Sequence, residues 1–417
     1  MFIILSIYFT TLFIAPQLWL EPFIGLRTDY IFFPIWLIYA FTKQTKLELT
    51  AQDKLLLLFY LWLVISILIN GFSSNVNATH MLVNYTRFLL IYFLVRKTIT
   101  TKEDVELVAK LILFFVGLLI IEGIQHKLSP DGIGWAGQTL AWVDRSVLEA
   151  GGSGRTRWVN IFDGPGVFCV VYTLALPFML RFMDAAYSYK VKFFSLFLIA
   201  PLLLATFYTG SRGGLLASVA IIALYTAIRS KISFSKIIRA SVLLSIVFVM
   251  APSHLTKLRD ENRSAQHRVS MWYEGVEMLQ QNPVFGIGRG NFKRYTSRLI
   301  AHNSAIEIMG EMGFVGFFLW GGVIYLAFKS LVIVAKNSRD AKLLSLNQSV
   351  GLAIAGMLIS AMFVTLEYET FYFLLALPVA LSNSIGKKTE FTTKDKKYLF
   401  GMLVLWVVVL KSFIMIY

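Results

Sequence analysis

Residues 306–335 read IEIMGEMGFVGFFLWGGVIYLAFKSLVIVA, and between Glu311 and Lys329 no side chain is charged. A bilayer core is crossed by a helix of about 20 mostly apolar residues, so this run is long enough to span one. Working outward, comparable runs fall near 2–20, 29–42, 54–70, 81–95, 104–124, 164–183, 193–209, 214–228, 237–252, 344–366, 370–386 and 398–416. The last is either a further span or a helix lying along the surface. The run at 2–20 lacks the basic start and small-residue cleavage site of a signal peptide, so it counts as a span. Of the 417 residues, 57% are hydrophobic and 15% charged, against about 45–50% and about 25% in a soluble domain. The expected fold class is all-α: a polytopic integral membrane protein with about 12–13 transmembrane helices. Residues 1–417 read as one membrane domain, with no internal repeat. Disorder, collagen, coiled coil and a disulfide-knit module are excluded. The single cysteine, Cys169, closes no disulfide within the chain, and no His/Cys cluster has zinc spacing.

The net charge is +15, which in a soluble protein would suggest nucleic acid. Its distribution argues against that. With the N-terminus in the cytoplasm, the connections at 43–54, 96–102, 181–192, 229–239, 336–342 and 387–397 face inward. They hold 21 Lys and Arg, against 2 (Arg27 and Arg212) in the short connections at 21–29, 71–80, 210–214 and 367–369. Basic residues collect in cytoplasmic loops, so this split sets the orientation and explains most of the charge. Two long segments, 125–163 and 253–305, are then expected to form periplasmic loops. The second carries eight basic and four acidic residues, against the general trend, together with His254, His267 and His302. Intramembrane ionisable groups are few: Glu122, Arg87 and Lys110 lie near span ends, within reach of the interface. A transporter or flippase would place such groups near the midplane and show matched halves.

Three segments on the outer side can carry chemistry. Thr209-Gly210-Ser211-Arg212-Gly213-Gly214 joins two spans where a helix N-terminus faces outward. Free N–H groups there favour an anion, and Arg212 adds a planar fork suited to phosphate oxygens. The alternative is a tight hairpin whose arginine touches lipid headgroups. In the second segment, 268–279, Val269, Trp272, Tyr273, Val276 and Leu279 share a helix face behind Arg268. It is followed by Asn282-Pro283 and a glycine-rich run, Gly286-Ile287-Gly288-Arg289-Gly290. That run is no dinucleotide fingerprint, because no βαβ unit surrounds it. The alternative reading is an interfacial helix lying on the membrane. In the third segment, His302 and Asn303 stand at the start of the long helix, with Glu307 and Glu311 on its next turns. A helix N-terminus and nearby arginines both favour neutral imidazole, the form a general base requires. The alternative is a histidine capping a helix.

Taken in order, Ser211-Arg212-Gly213, Arg268 with Trp272, Asn282-Pro283 with Gly286-Ile287-Gly288, and His302-Asn303 with Glu311 and Gly313 resemble the O-antigen ligase/polymerase superfamily of bacterial envelope glycosyltransferases. The resemblance spans roughly residues 155–320. Phe162-Asp163-Gly164-Pro165-Gly166 is similar to the family's Asn/Asp-Pro-Asn stretch, with Gly166 where the family has Asn. The resemblance implies a GT-C-type enzyme of the bacterial inner membrane with a helical periplasmic cap. Its donor would be an undecaprenyl-diphosphate-linked glycan, and its acceptor lipid A core or a second lipid-linked glycan. It implies His302 as base, with Arg212, Arg268 and Arg289 on the diphosphate and Ser211, Asn303, Trp272 and Glu311 in support. Membrane lipids are the expected surroundings; no metal, cofactor or nucleic acid is expected. The expected reaction is metal-independent, inverting transfer in lipopolysaccharide biosynthesis. A short chain without an appended soluble domain and a basic outer cap favour the ligase over the polymerase. A glycan flippase is the reading from a different class.

Overall fold

The computed structural model describes residues 1–71, 77–141, 154–230, 259–296, 299–365 and 368–416, with backbone alone for residue 29, residues 259–267 and residue 416. The span expected at 237–252, His254, and most of the 229–239 connection lie outside the described residues, as does the side chain of His267. The described chain is helical, in order α1 (Phe2–Phe9), α2 (Thr28–Thr42), α3 (Ala51–Ile69), α4 (Ala78–Thr98), α5 (Lys102–Leu128), α6 (Pro165–Leu180), α7 (Tyr189–Tyr208), α8 (Arg212–Arg229), α9 (Arg259–Gln281), α10 (Phe292–Tyr295), α11 (Ser304–Asn337), α12 (Ala341–Ser360), α13 (Glu369–Ser384) and α14 (Thr393–Ile416). Among the described residues, extended pairing is limited to isolated bridges at Ile133–Thr139 and Ala141–Arg155.

Nine of these helices are long and apolar enough to cross a membrane. Two more, Phe2–Ile14 and Tyr30–Thr42, are apolar but shorter. The 16-residue α13 is also short, and every residue from Glu369 to Ser382 is buried. It is a central post surrounded by protein, so the lipid thickness does not set its length. Twelve of the thirteen expected spans thus fall in helices. The protein is an all-α polytopic membrane protein. The last helix, α14, is long enough to span and lies along α11, where Leu399 and Leu403 meet Gly321 and Gly322.

Local chemistry sets the helix starts. Thr50 with Asp53, and Thr101 with Asp104, form capping boxes for α3 and α5. Asp340 caps α12 by accepting from Lys342 N and Leu343 N. The described parts of the basic connections meet at one end of the bundle. There Arg96 forks onto buried Asp53 at 3.0 and 3.1 Å, and Tyr92 donates to the same carboxylate. Lys388 pairs with Glu48 and Lys102 with Asp340. Arg181 pairs with Glu106 and Arg229 with Asp184. We call this the basic end.

At the opposite end the remaining connections lock together. Trp158 donates to Phe13 O, Asn77 to Gly290 O, and Ser304 N to Ala361 O. Glu122 does not reach for the interface as its sequence position suggested. It is fully buried and accepts from Gln138 at 2.6 Å, tying the loop after α5 to that helix. His126 is buried one turn on and bonds to Gly132 O. Arg87 is partly exposed and pairs with Glu369 at 2.7 Å. Lys110 is exposed.

Candidate active site

The site is built on the start of α11. Asn303 is its N-cap and accepts from Ala305 N and Ile306 N. The preceding turn is pinned from two sides. Ala301 O accepts from the Trp272 indole of α9 at 3.1 Å, and Ala301 N donates to the buried Glu307 carboxylate, which Thr365 also reaches at 2.8 Å. His302, between these fixed points, has φ 49°, an uncommon left-handed conformation for a residue with a side chain. The turn holds it there half-buried. Partial burial and the neighbouring Arg268 push its imidazole below the ordinary histidine value, so the neutral form persists to lower pH.

The cations come from three further elements. Ser211 caps α8 by accepting from Gly214 N at 3.2 Å, which puts Arg212 at the first helical position. Close packing seats this helix start: a Cβ on Gly214 would stand 2.3 Å from Cys169 Sγ, and one on Gly213 would stand 2.7 Å from Phe363 Cβ. Arg155 reaches across from the loop after α5. It donates to Thr209 O at 3.0 Å and Gly210 O at 2.8 Å, clamping the α7–α8 turn. Arg268 stands on α9. Partial burial and the charges of Arg155 and Arg212 all depress its pKa. Arg155, Arg212, Arg268 and His302 therefore form one electrostatic group. Gathered guanidinium groups are suited chemically to an anion carrying several negative oxygens.

Helix α9 packs against α11. Its face of Met271, Val276, Met278 and Leu279 is buried, and it crosses α11 closely enough that a Cβ on Gly275 would stand 2.3 Å from Ile306. Tyr273, expected on the inner face, is exposed.

Arg289 and Glu311 have a different setting. Both are buried and ion-paired to each other. Arg289 also donates to Tyr85 at 3.3 Å, and Glu311 accepts from Phe292 N at 2.6 Å. They brace a break in α11 at Gly313, where φ is 67°. The carbonyls released there are taken up by Ile287 N on Gly310, Gly288 N on Glu311, and Trp62 on Met312. Irregular backbone at membrane depth survives only where protein satisfies it. The Asn282–Gly288 run is that protein: a Cβ on Gly286 would stand 2.3 Å from the Glu311 backbone.

The structure thus brings together His302, Arg212 and Arg268, with Ser211, Asn303 and Trp272 positioning them. It places Arg289 and Glu311 in the brace. Arg155 escaped the sequence reading, which saw only one basic residue among four in a long mixed-charge loop. His80 bonds to Asn84 on α4. Among the described residues, no three His, Cys, Asp or Glu side chains are grouped to hold a metal.

This geometry falls inside a recognisable unit. Residues 196–321 match the family described as O-antigen ligase. The O-antigen ligase match covers α7 to the first half of α11, and so contains Arg212, Arg268 and His302, while Arg155 lies outside it. No curated protein matches the chain.

Proposed function

We propose that the protein transfers a glycan from undecaprenyl diphosphate to an acceptor hydroxyl on the periplasmic face of the bacterial inner membrane. The observation that carries this reading is the gathering of Arg155 and Arg212 around Arg268, which in turn acts on the half-buried His302 at the start of α11. In this reading the basic end and the N-terminus are cytoplasmic, and residues 125–163 and 253–305 contribute a helical periplasmic cap on one membrane domain. Arg155, Arg212 and Arg268 hold the diphosphate. Neutral His302 takes the proton from the acceptor hydroxyl as its oxygen attacks the anomeric carbon. The bond from that carbon to the diphosphate oxygen breaks, and the arginines stabilise the charge arriving on the departing diphosphate. The anomeric centre inverts, and imidazolium later returns its proton to solvent or to the released lipid diphosphate. The GT-C type, lipid A core as acceptor, and metal independence are parts of the same proposal.

The test offers purified protein a lipid-linked donor with lipid A core, or with a second lipid-linked glycan, in excess chelator. Elongated lipid A core is the expected product. An elongated lipid-linked glycan would make the protein a polymerase. Absence of any new glycosidic bond, or activity recovered only on adding magnesium or manganese, would contradict the reading.

A further inference from the structure

A second polar cleft opens at the same end of the bundle, between α1, α2, α4 and α13. Its volume is about 220 Å³, equal to about seven waters at ~30 Å³ each and enough for one sugar ring. Its wall includes Gln17, Arg27, Tyr30, Arg87, Asn160 and Glu369. Three of these come from connections opposite the basic end: Arg27 from 21–29, Asn160 from 125–163, and Glu369 from 367–369.

The chemistry of the wall is that of a polyhydroxyl ligand. The Arg87–Glu369 pair, at 2.7 Å, places donors and an acceptor side by side with little net charge. A diphosphate would call instead for gathered guanidinium groups, as around Arg268. Gln17 donates through Nε2 to Thr11 O at 3.2 Å, while its buried Oε1 has no hydrogen-bond partner in the described structure. A buried acceptor left unsatisfied is costly, and a ligand hydroxyl would satisfy it. Tyr30, 73% exposed, offers an aromatic ring at the rim. Charged pairs on membrane helices are also a usual mark of function.

Two chain segments join this cleft to the arginine–histidine group. Asn160 follows Arg155 by five residues in the same loop. Glu369 follows Tyr368, which lies within electrostatic reach of Glu307, and Glu307 holds the backbone next to His302. We propose that the cleft is a glycosyl subsite, holding one sugar residue of a glycan substrate beside the reaction centre. The proposal rests on the transferase reading for the class of its ligand.

Saturation-transfer NMR on the detergent-solubilised protein tests it. The probes are the oligosaccharide released by mild acid from the lipid-linked glycan of the source cells, and the core oligosaccharide released likewise from their lipid A. At least one should be saturated by wild type and by His302→Ala, and whichever is saturated identifies the donor or the acceptor side. Gln17→Ala and the exposed Tyr30→Ala should each weaken that signal about fivefold, the scale of one lost hydrogen bond or contact. No saturation by wild type, or signals unchanged in both folded variants, would overturn the subsite. Failure of glycan transfer with saturation intact would overturn the transferase reading and leave the subsite standing.

Discussion

The two ends of the bundle both pair arginine with carboxylate, as Arg157 does with Asp163 at the outer end. Among the described residues, only the outer end gathers arginines around another arginine. At the basic end Arg96 meets Asp53, Arg181 meets Glu106, and Arg229 meets Asp184. At the other end Arg155 donates to carbonyls, and the charges acting on Arg268 are those of Arg155 and Arg212. Paired charges hold helices together. Gathered like charges repel one another, and in the proposed reading a bound diphosphate joins them. Arg289 sharpens the contrast. It belongs to the outer segment by sequence, yet its ion pair with Glu311 makes it resemble the arginines of the basic end.

The largest expected effect separates His302 from its own cap. His302→Ala should lower single-turnover transfer by about 10²–10⁴, the usual loss of a general base, with donor affinity retained. Asn303→Ala should cost stability of about 1 kcal/mol through its lost cap and reduce the rate far less. Equal rates in wild type and folded His302→Ala would reduce His302 to a turn residue.

Stability should divide the ends next. Asp53→Ala leaves Arg96 buried and unpaired, so unfolding in detergent should be easier by about 3–5 kcal/mol. Arg268→Gln removes a charge from a like-charged group and should leave stability equal or higher. A comparable loss in both variants would erase the distinction between the ends.

The smallest effect is on pH. His302 is pushed below its ordinary value by partial burial and by Arg268. A base must be neutral, so transfer should fall only as pH drops through that lowered pKa. Arg268→Gln removes one cause of the shift, and its acid limb should move to higher pH. Superimposable acid limbs at saturating donor would break the electrostatic link between the two residues.

The helical bundle was legible because lipid imposes a length and a composition on each span, and connection charge alternates along the chain. His302 and Arg212 were legible because each stands at a helix start on the same side, and Arg268 because it precedes the apolar face of 268–279, although α9 itself begins earlier, at Arg259. The role of Arg289 was not, since its partner Glu311 lies 22 residues away and meets it only where the 282–292 run packs against α11. Arg155 carried no local signal: what singles it out is its clamp on the α7–α8 turn, a contact across 54 residues. The burial of Glu122 depends on Gln138 folding back over it, which hydropathy alone does not encode.

The central claim is that the gathered arginines are a diphosphate site. Its most direct test is equilibrium binding of undecaprenyl diphosphate to purified wild type, Arg155→Ala, Arg212→Ala, Arg268→Gln and Arg181→Ala. The account predicts that each of the first three substitutions weakens binding about tenfold or more, the scale of a charged hydrogen bond of about 1.5–3 kcal/mol, and that Arg181→Ala leaves it unchanged. Equal affinity across wild type and the three outer-end variants, all folded, would contradict it.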